Sequence, residues 1–245
     1  MSDPPPSQER LWLTEPRRAT CLATVAVVRG EWFAVDRALF APRSRALRHP
    51  QPADGGTVWS QGEKRRLASV EERGGRVWYT LRGMVPPVGS GLQCELDADA
   101  RDDASRAHTA MHLLLAAAGE VGAPPMTADP EVRGDGHVRL TFSRPVPPPD
   151  LAAMIQRVGA WVDADRVVQR AFATRAEAER FATPQHFQPP DPVPGGDVVP
   201  LVRVEGVCVH PCDGTHADRT GRLGRIVVVH AEAGRGGFVV VARAT

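Results

Sequence analysis

Hydrophobic and polar residues alternate in short runs over the first hundred positions, as in half-buried β-strands. Gly30 separates the first two runs and Gly74-Gly75 separates a later two, so each position marks a tight hairpin. Several short strands joined by tight turns indicate a small barrel or sandwich, and we predict an N-terminal β-barrel-like domain over residues 1–100. The predicted strands cover residues 21–29, 31–36, 57–60, 67–72, 76–81 and 92–96.

After residue 100 the apolar residues recur at helical spacing, which predicts a helix over residues 102–118. A second helix follows three prolines, with Asp150 as its N-cap, and Thr174 with Glu177 forms the capping box of a third. The expected fold class is α+β, with residues 101–245 forming an α+β domain around an antiparallel sheet. Its predicted strands cover residues 137–142, 166–172, 198–209, 225–229 and 238–242.

The composition is that of a soluble globular protein, with 42% hydrophobic residues, 24% charged residues and a formal net charge of +1. A nucleic-acid partner would therefore have to be bound by local patches rather than by overall charge. No apolar run approaches the ~20 residues that span a bilayer, and the polar N-terminus lacks a signal pattern. We expect a cytoplasmic protein with no membrane partner, whose four cysteines are reduced and available for metal ligation.

Two pairs of residues have the chemistry of metal ligands. His108 and His112 lie four apart on the predicted helix, so both imidazoles project from one face. Cys212 follows His112 by 100 residues, and His216 comes four positions later in a turn, where Gly214 gives the backbone freedom to direct both side chains inward. Three nitrogens and one sulfur complete the tetrahedral shell of zinc. We therefore predict a zinc site formed by these four side chains.

The segments around both pairs resemble the two zinc motifs of freestanding alanyl-tRNA editing proteins, which the editing domains of alanyl- and threonyl-tRNA synthetases share. Residues 106–114 read Arg-Ala-His-Thr-Ala-Met-His-Leu-Leu, similar to the first motif. Residues 212–216 read Cys-Asp-Gly-Thr-His, similar to the second, which is usually Cys-Gly-Gly-Thr-His. The order, separation and flanking residues agree, and the resemblance extends over roughly residues 20–243.

This resemblance implies a zinc-dependent hydrolase that deacylates mischarged aminoacyl-tRNA in trans, the substrate being seryl- or glycyl-tRNA for alanine. Zinc would lower the pKa of water to about 7 and polarise the ester carbonyl. His108 and His112 are the expected catalytic residues, and aminoacyl-tRNA is the expected partner, with no DNA partner. Arg106 and Asp213 border the ligands and are candidates for orienting them, with a structural salt bridge as the alternative for each.

The N-terminal half departs from the family pattern at a stretch that resembles a wall of the aminoacyl pocket. The family has a threonine where this chain has Ala38, and an insertion at residues 43–50 precedes Gln51 and Asp54. These three residues are the candidates for substrate binding. Because Ala38 lacks a hydroxyl, we expect weak discrimination between seryl and similar-sized acyl groups.

Two other functions remain open from the sequence. One is a transferase that passes the aminoacyl group to a small acceptor, and the other is a non-catalytic tRNA-binding module with structural zinc. Two further residues near the second pair each have two interpretations. Cys208 is either an additional thiolate ligand or a small apolar residue that faces the core, and we expect the second. His210 lies either beside the zinc loop or at a solvated strand end, and we again expect the second.

Overall fold

A computed structural model of the protein describes residues 8–43, 51–128, 130–133, 135–180, 197–234 and 236–245. Residues 44–50 of the predicted insertion therefore lie outside the described part. The chain divides into two compact units. Described residues 8–43 and 52–101 belong to the first unit, and Gln51 with the described residues of 102–180 and 197–245 belongs to the second. The proposed domain boundary near residue 100 stays a prediction.

The first unit is built around a closed barrel of six antiparallel strands, in the order β2-β3-β7-β6-β5-β8. Alternate residues of β2 are buried, because successive side chains of a strand point to opposite faces. The barrel and the α+β class are as predicted. The elements of this unit are β1 (Glu9–Arg10), α1 (Leu11–Thr14), β2 (Thr20–Arg29), β3 (Trp32–Val35), β4 (Arg37–Ala38), β5 (Gly56–Ser60), β6 (Glu63–Arg73), β7 (Arg76–Leu81) and β8 (Gly91–Leu96).

The described residues of the second unit form two antiparallel sheets, with strand orders β14-β15-β10-β9 and β11-β12-β13. Its helices and strands are α2 (Ala98–Glu120), whose first turn belongs to the first unit, β9 (Glu131–Val132), β10 (His137–Phe142), α3 (Pro148–Asp163), β11 (Val168–Thr174), α4 (Arg175–Glu179), β12 (Val198–Val204), β13 (Cys208–Pro211), a 3-10 helix (Thr220–Leu223), β14 (Ile226–Gly234) and β15 (Gly237–Ala244).

Helix α2 is buried on nearly all sides between residues 107 and 118, and it forms the centre of the core of the second unit. The spacing of its apolar residues predicted a single buried face, but alanines and leucines occupy the intervening positions as well. The helix also begins four residues earlier than predicted. The Asp97 carboxylate accepts a hydrogen bond from the amide of Ala100 at 3.3 Å, as an N-cap residue does.

Two further boundaries differ from prediction. The single strand predicted over residues 198–209 is the hairpin β12–β13, whose turn contains Gly206 at a φ of +65°. The N-cap of α3 is Pro147 rather than Asp150, which lies in the first turn. The capping box of Thr174 and Glu177 is confirmed. Within the described residues, no helix is long and apolar enough to cross a membrane.

Candidate metal centre

Helix α2 presents two histidines one turn apart. The rings of His108 and His112 stack with their centroids 5.1 Å apart and their planes inclined by 13°. Both side chains are fully buried, because this stretch of the helix lies inside the core of the second unit. The first ligand pair is therefore held by regular helix geometry and not by a flexible loop.

The loop that follows β13 brings the second pair to the same place. The Cys212 sulfur lies 3.3 Å from His108 Nε2 and 3.5 Å from His216 Nε2. One ligand atom from each of the four predicted residues lies within 4.8 Å of the others. A thiolate sulfur and an imidazole nitrogen bound to one tetrahedral zinc ion would lie about 3.6 Å apart, given Zn–S near 2.3 Å and Zn–N near 2.1 Å. The donor set and its spacing therefore fit a metal ion of this kind.

Gly214 allows this loop to approach the helix closely. A Cβ atom at this position would overlap the His108 ring and would lie 2.9 Å from the Gln51 amide oxygen. The φ of Gly214 is not in the left-handed region, so backbone freedom does not explain the glycine. The close contact with His108 and Gln51 excludes a side chain instead.

Gln51 orients the first histidine ligand. Its Oε1 lies 2.6 Å from His108 Nδ1 and accepts a hydrogen bond from the Thr215 amide at 3.0 Å. An amide oxygen can only accept, so His108 donates from Nδ1 and keeps the lone pair of Nε2 for a metal. The polar group that we expected to bind substrate is thus engaged by the metal-site residues themselves.

Hydrogen bonds between side chains and backbone fix the loop to α2. Ser105 donates its hydroxyl hydrogen to Thr215 Oγ1 at 2.9 Å, and Thr109 donates to the Ser105 carbonyl at 2.8 Å. The Ala217 amide donates to Thr109 Oγ1 at 3.0 Å. All four residues are buried, where an unmade hydrogen bond would be costly, so this network holds the second pair against the first.

His210 contacts the second histidine ligand, which corrects our expectation of a solvated strand end. Its Nδ1 lies 3.0 Å from His112 Nδ1, and the residue is 5% exposed. One sequence signal was available. His210 lies two positions before Cys212, and residues two apart in an extended segment point to the same side. Cys208 is partly buried against the core, in accordance with its expected packing role.

Arg170 on β11 is a second residue that the sequence analysis missed. Its guanidinium donates to the carbonyl of Cys212 at 2.9 Å and to the carbonyl of Gly214, and it lies 3.5 Å from His216 Nδ1. The guanidinium therefore fixes the backbone between the two ligands of the loop. Arg170 lies near this loop because β12 pairs with both β11 and β13. No local motif around Arg170 reveals this long-range pairing.

Burial sets the protonation of the ligands. It lowers the pKa of His108 to about 3, with a smaller contribution from the Arg170 charge, so this imidazole is neutral and able to bind metal. Burial, followed by the Asp213 carboxylate, raises the pKa of the Cys212 thiol to about 12, although Arg170 opposes the shift. Since zinc binds the thiolate form of cysteine, a zinc ion held by Cys212 would have to displace its proton.

The remaining predicted site residues lie in other surroundings. Arg106 forms an ion pair with Asp103 at 3.5 Å, and Asp213 is half-buried beside Cys212. In the first unit, Ala38 is fully buried in the barrel core. Asp54 binds the Arg101 guanidinium through both carboxylate oxygens, one of them at 2.7 Å. The roles assigned to these residues in substrate binding or ligand orientation stay predictions.

The chain is similar to alanine–tRNA ligases over most of its length, and no protein-family model matches it. The ligase of Methanopyrus kandleri is 32% identical over 218 residues, which is 88% of this chain and 23% of that protein. The ligase of Korarchaeum cryptofilum is 28% identical over 84% of this chain, and that of Archaeoglobus fulgidus is 27% identical over 96%. The chain spans about a quarter of the length of these relatives. It therefore belongs to the alanyl-tRNA editing family that its two ligand motifs indicated, as a homologue of one segment of the alanine–tRNA ligases.

Proposed function

We propose that the protein is a zinc-dependent aminoacyl-tRNA deacylase that hydrolyses the ester of a wrongly attached amino acid. The observation that carries the proposal is the convergence of His108, His112, Cys212 and His216 into one cluster, within a chain related to alanine–tRNA ligases. The substrate expected from this relationship is seryl- or glycyl-tRNA for alanine. His108 and His112 are the proposed catalytic residues, through the metal that they hold.

A zinc ion at this site would supply Lewis acidity, polarising the ester carbonyl and lowering the pKa of water to about 7. The protein supplies the geometry, because Gln51 and Arg170 fix the ligands and their loop. His216 is the one ligand of the four that is partly exposed. An ester would therefore approach the cluster from the side of His216, while the other three ligands stay shielded from water.

The test is a screen of deacylation against a panel of mischarged and correctly charged tRNAs. Seryl- or glycyl-tRNA for alanine should be hydrolysed, and alanyl-tRNA should be spared or cut more slowly. His108→Ala and His112→Ala should abolish hydrolysis with little loss of tRNA binding, because they remove metal ligands and not RNA contacts. Wild-type rates in both variants would refute the catalytic assignment.

Metal content supplies a second measurement with a matched control. Purified protein should contain about one zinc per chain, the number that a single four-ligand site holds. Cys212→Ala should lower that occupancy. Cys208→Ala, four residues earlier and packed against the core, should leave it unchanged. Fully folded wild-type protein that is free of metal under non-chelating conditions would contradict the proposed cofactor.

A non-catalytic tRNA-binding module is the second candidate, because four protein ligands form the closed shell typical of structural zinc. The same screen separates the two functions. If the protein binds charged tRNA but hydrolyses no aminoacyl ester, it is a binding module. If it hydrolyses an ester and the histidine variants do not, it is a deacylase.

A further inference from the structure

Two polar side chains, Arg170 and His210, flank Val202 in one row across the three-stranded sheet. Arg170 on β11 is opposite Val202 on β12, and Val202 is opposite His210 on β13. Directly opposite residues point to the same face of a sheet. Val202 and Val204 both belong to the core that surrounds α2, so the neighbours of Arg170 and His210 on β12 are apolar. Binary patterning alone would place an aliphatic residue at position 210.

We propose that His210 is a positioning residue that determines which nitrogen of His112 binds the metal. A neutral imidazole carries one hydrogen, and the nitrogen without it is the ligand. His112 Nδ1 lies 3.0 Å from His210 Nδ1. In the proposed arrangement His112 donates from Nδ1 and His210 Nδ1 accepts, which leaves the lone pair on His112 Nε2, whereas the reverse donation would leave it on Nδ1. His210 thereby does for His112 what the Gln51 amide oxygen does for His108.

The competing explanation is that His210 only fills space in the core. A buried imidazole costs desolvation energy that a leucine of similar size does not, so a filler role gives no reason for a polar ring at this position. The two roles predict different results. If His210 is a filler, His210→Leu leaves metal affinity unchanged. If His210 positions His112, the same substitution weakens metal binding even when the metal-free fold is equally stable.

The experiment measures zinc affinity of the full chain by competition with a chromophoric chelator, together with the melting temperature of the metal-free protein. His210→Leu should bind zinc about 10- to 100-fold more weakly, the usual cost of losing a residue that orients a ligand. His210→Asn should restore most of the affinity, because its Oδ1 is attached to Cγ as Nδ1 is and can accept the same hydrogen bond. His230→Leu, at an exposed position on β14, is the matched control and should bind as the wild type does.

A measurement on the unsubstituted protein keeps the proposal testable if the leucine variant fails to fold. Long-range ¹H–¹⁵N correlation spectra of the zinc-loaded chain should show His112 protonated at Nδ1. A metal bound through Nδ1 would overturn the proposal, as would equal zinc affinity of His210→Leu and the wild type. The inference rests on the proposed metal site, and wild-type protein that binds no zinc would overturn both. Normal wild-type affinity with an unaffected His210→Leu variant would overturn the role of His210 alone.

Discussion

Among single residues, Cys212 has the most consequential chemistry, because a proton and a metal ion would compete for its sulfur. Its pKa is raised to about 12, so the metal-free thiol is protonated throughout the physiological range. The pKa of His108, lowered to about 3, lies far below that range, so His108 loses no proton when metal binds near neutral pH. Metal affinity should therefore rise with pH, since a higher pH favours loss of the Cys212 proton.

This gives a prediction for the pH dependence. Between about pH 6 and about pH 9, the slope of log zinc affinity against pH should be smaller by about one in Cys212→Ala than in the wild type. The comparison isolates the thiol, because contributions from the histidines are common to both proteins. The measurement is chelator competition at a series of pH values. Equal slopes would show that Cys212 does not release a proton to the solvent when metal binds.

At the residue scale the four candidate metal ligands could be recognised from the sequence, whereas most of the residues that contact them could not. Each ligand pair is local, four positions apart, and its chemistry can be recognised from the sequence alone. Gln51 and His210 contact ligands that lie 57 and 98 residues away in the chain, and Arg170 contacts a carbonyl 42 residues away. The folded sheet and helix bring such partners together, so Gln51 and Arg170 have no local signal. His210 has one, because it lies two positions before Cys212 in an extended segment.

At the scale of secondary-structure elements, strand alternation and turn glycines predicted the barrel because both are local signals. All six barrel strands were predicted, yet β6 is longer than its predicted run of 67–72. Residues 63–66 extend it, although they are charged, because they pair with β5 on the barrel surface. The predicted start of α2, residue 102, is four residues too late because the prediction followed the apolar repeat. The cap of the helix is a single aspartate, Asp97, which lies outside that repeat.

The first turn of α2 also carries a buried ion pair that gives a stability prediction. Arg101 binds Asp54 through two nitrogens and donates to the Leu39 carbonyl at 3.0 Å, and both charged side chains are almost fully buried. Arg101→Met should lower the free energy of unfolding by about 3–5 kcal/mol, because it leaves the Asp54 carboxylate buried without its partner.

The matched control is Lys64→Met, which breaks the exposed ion pair between Lys64 and Glu95 at 2.8 Å. Exposed pairs are screened by water, so the cost should stay below about 1 kcal/mol. Urea unfolding of both variants measures the difference. If the two substitutions lowered the free energy of unfolding by similar amounts, the buried Arg101–Asp54 pair would contribute no more to stability than an exposed pair.

For the whole molecule, the metal ion would act as a cross-link between distant parts of the second unit. His112 and Cys212 are 100 residues apart, and all four ligands lie in that unit. An ion that binds only the folded chain stabilises it by about 4 kcal/mol when free metal exceeds the dissociation constant a thousandfold. Removal of the metal should therefore lower the melting temperature.

Calorimetry at increasing free zinc concentration tests this expectation. The melting temperature of the wild type should rise with zinc and fall again when a chelator is added. Cys212→Ala should show little dependence on either, since it lacks one of the four ligands. A wild-type melting temperature that is independent of zinc would mean that zinc binds the folded chain no more tightly than the unfolded chain.

The crowding around Gly214 determines which positions of this loop can accept a side chain. The family motif usually has two adjacent glycines, and this chain has Asp213 at the first of them. Among the described non-glycine residues only Gln61 and Asp165 have a positive φ, so Asp213 adopts a backbone conformation open to any residue, and its side chain is half-exposed. At position 214 any side chain would displace the His108 ring. The two glycine positions of the motif should therefore differ in mutational tolerance: position 213 has room for a side chain, and position 214 does not.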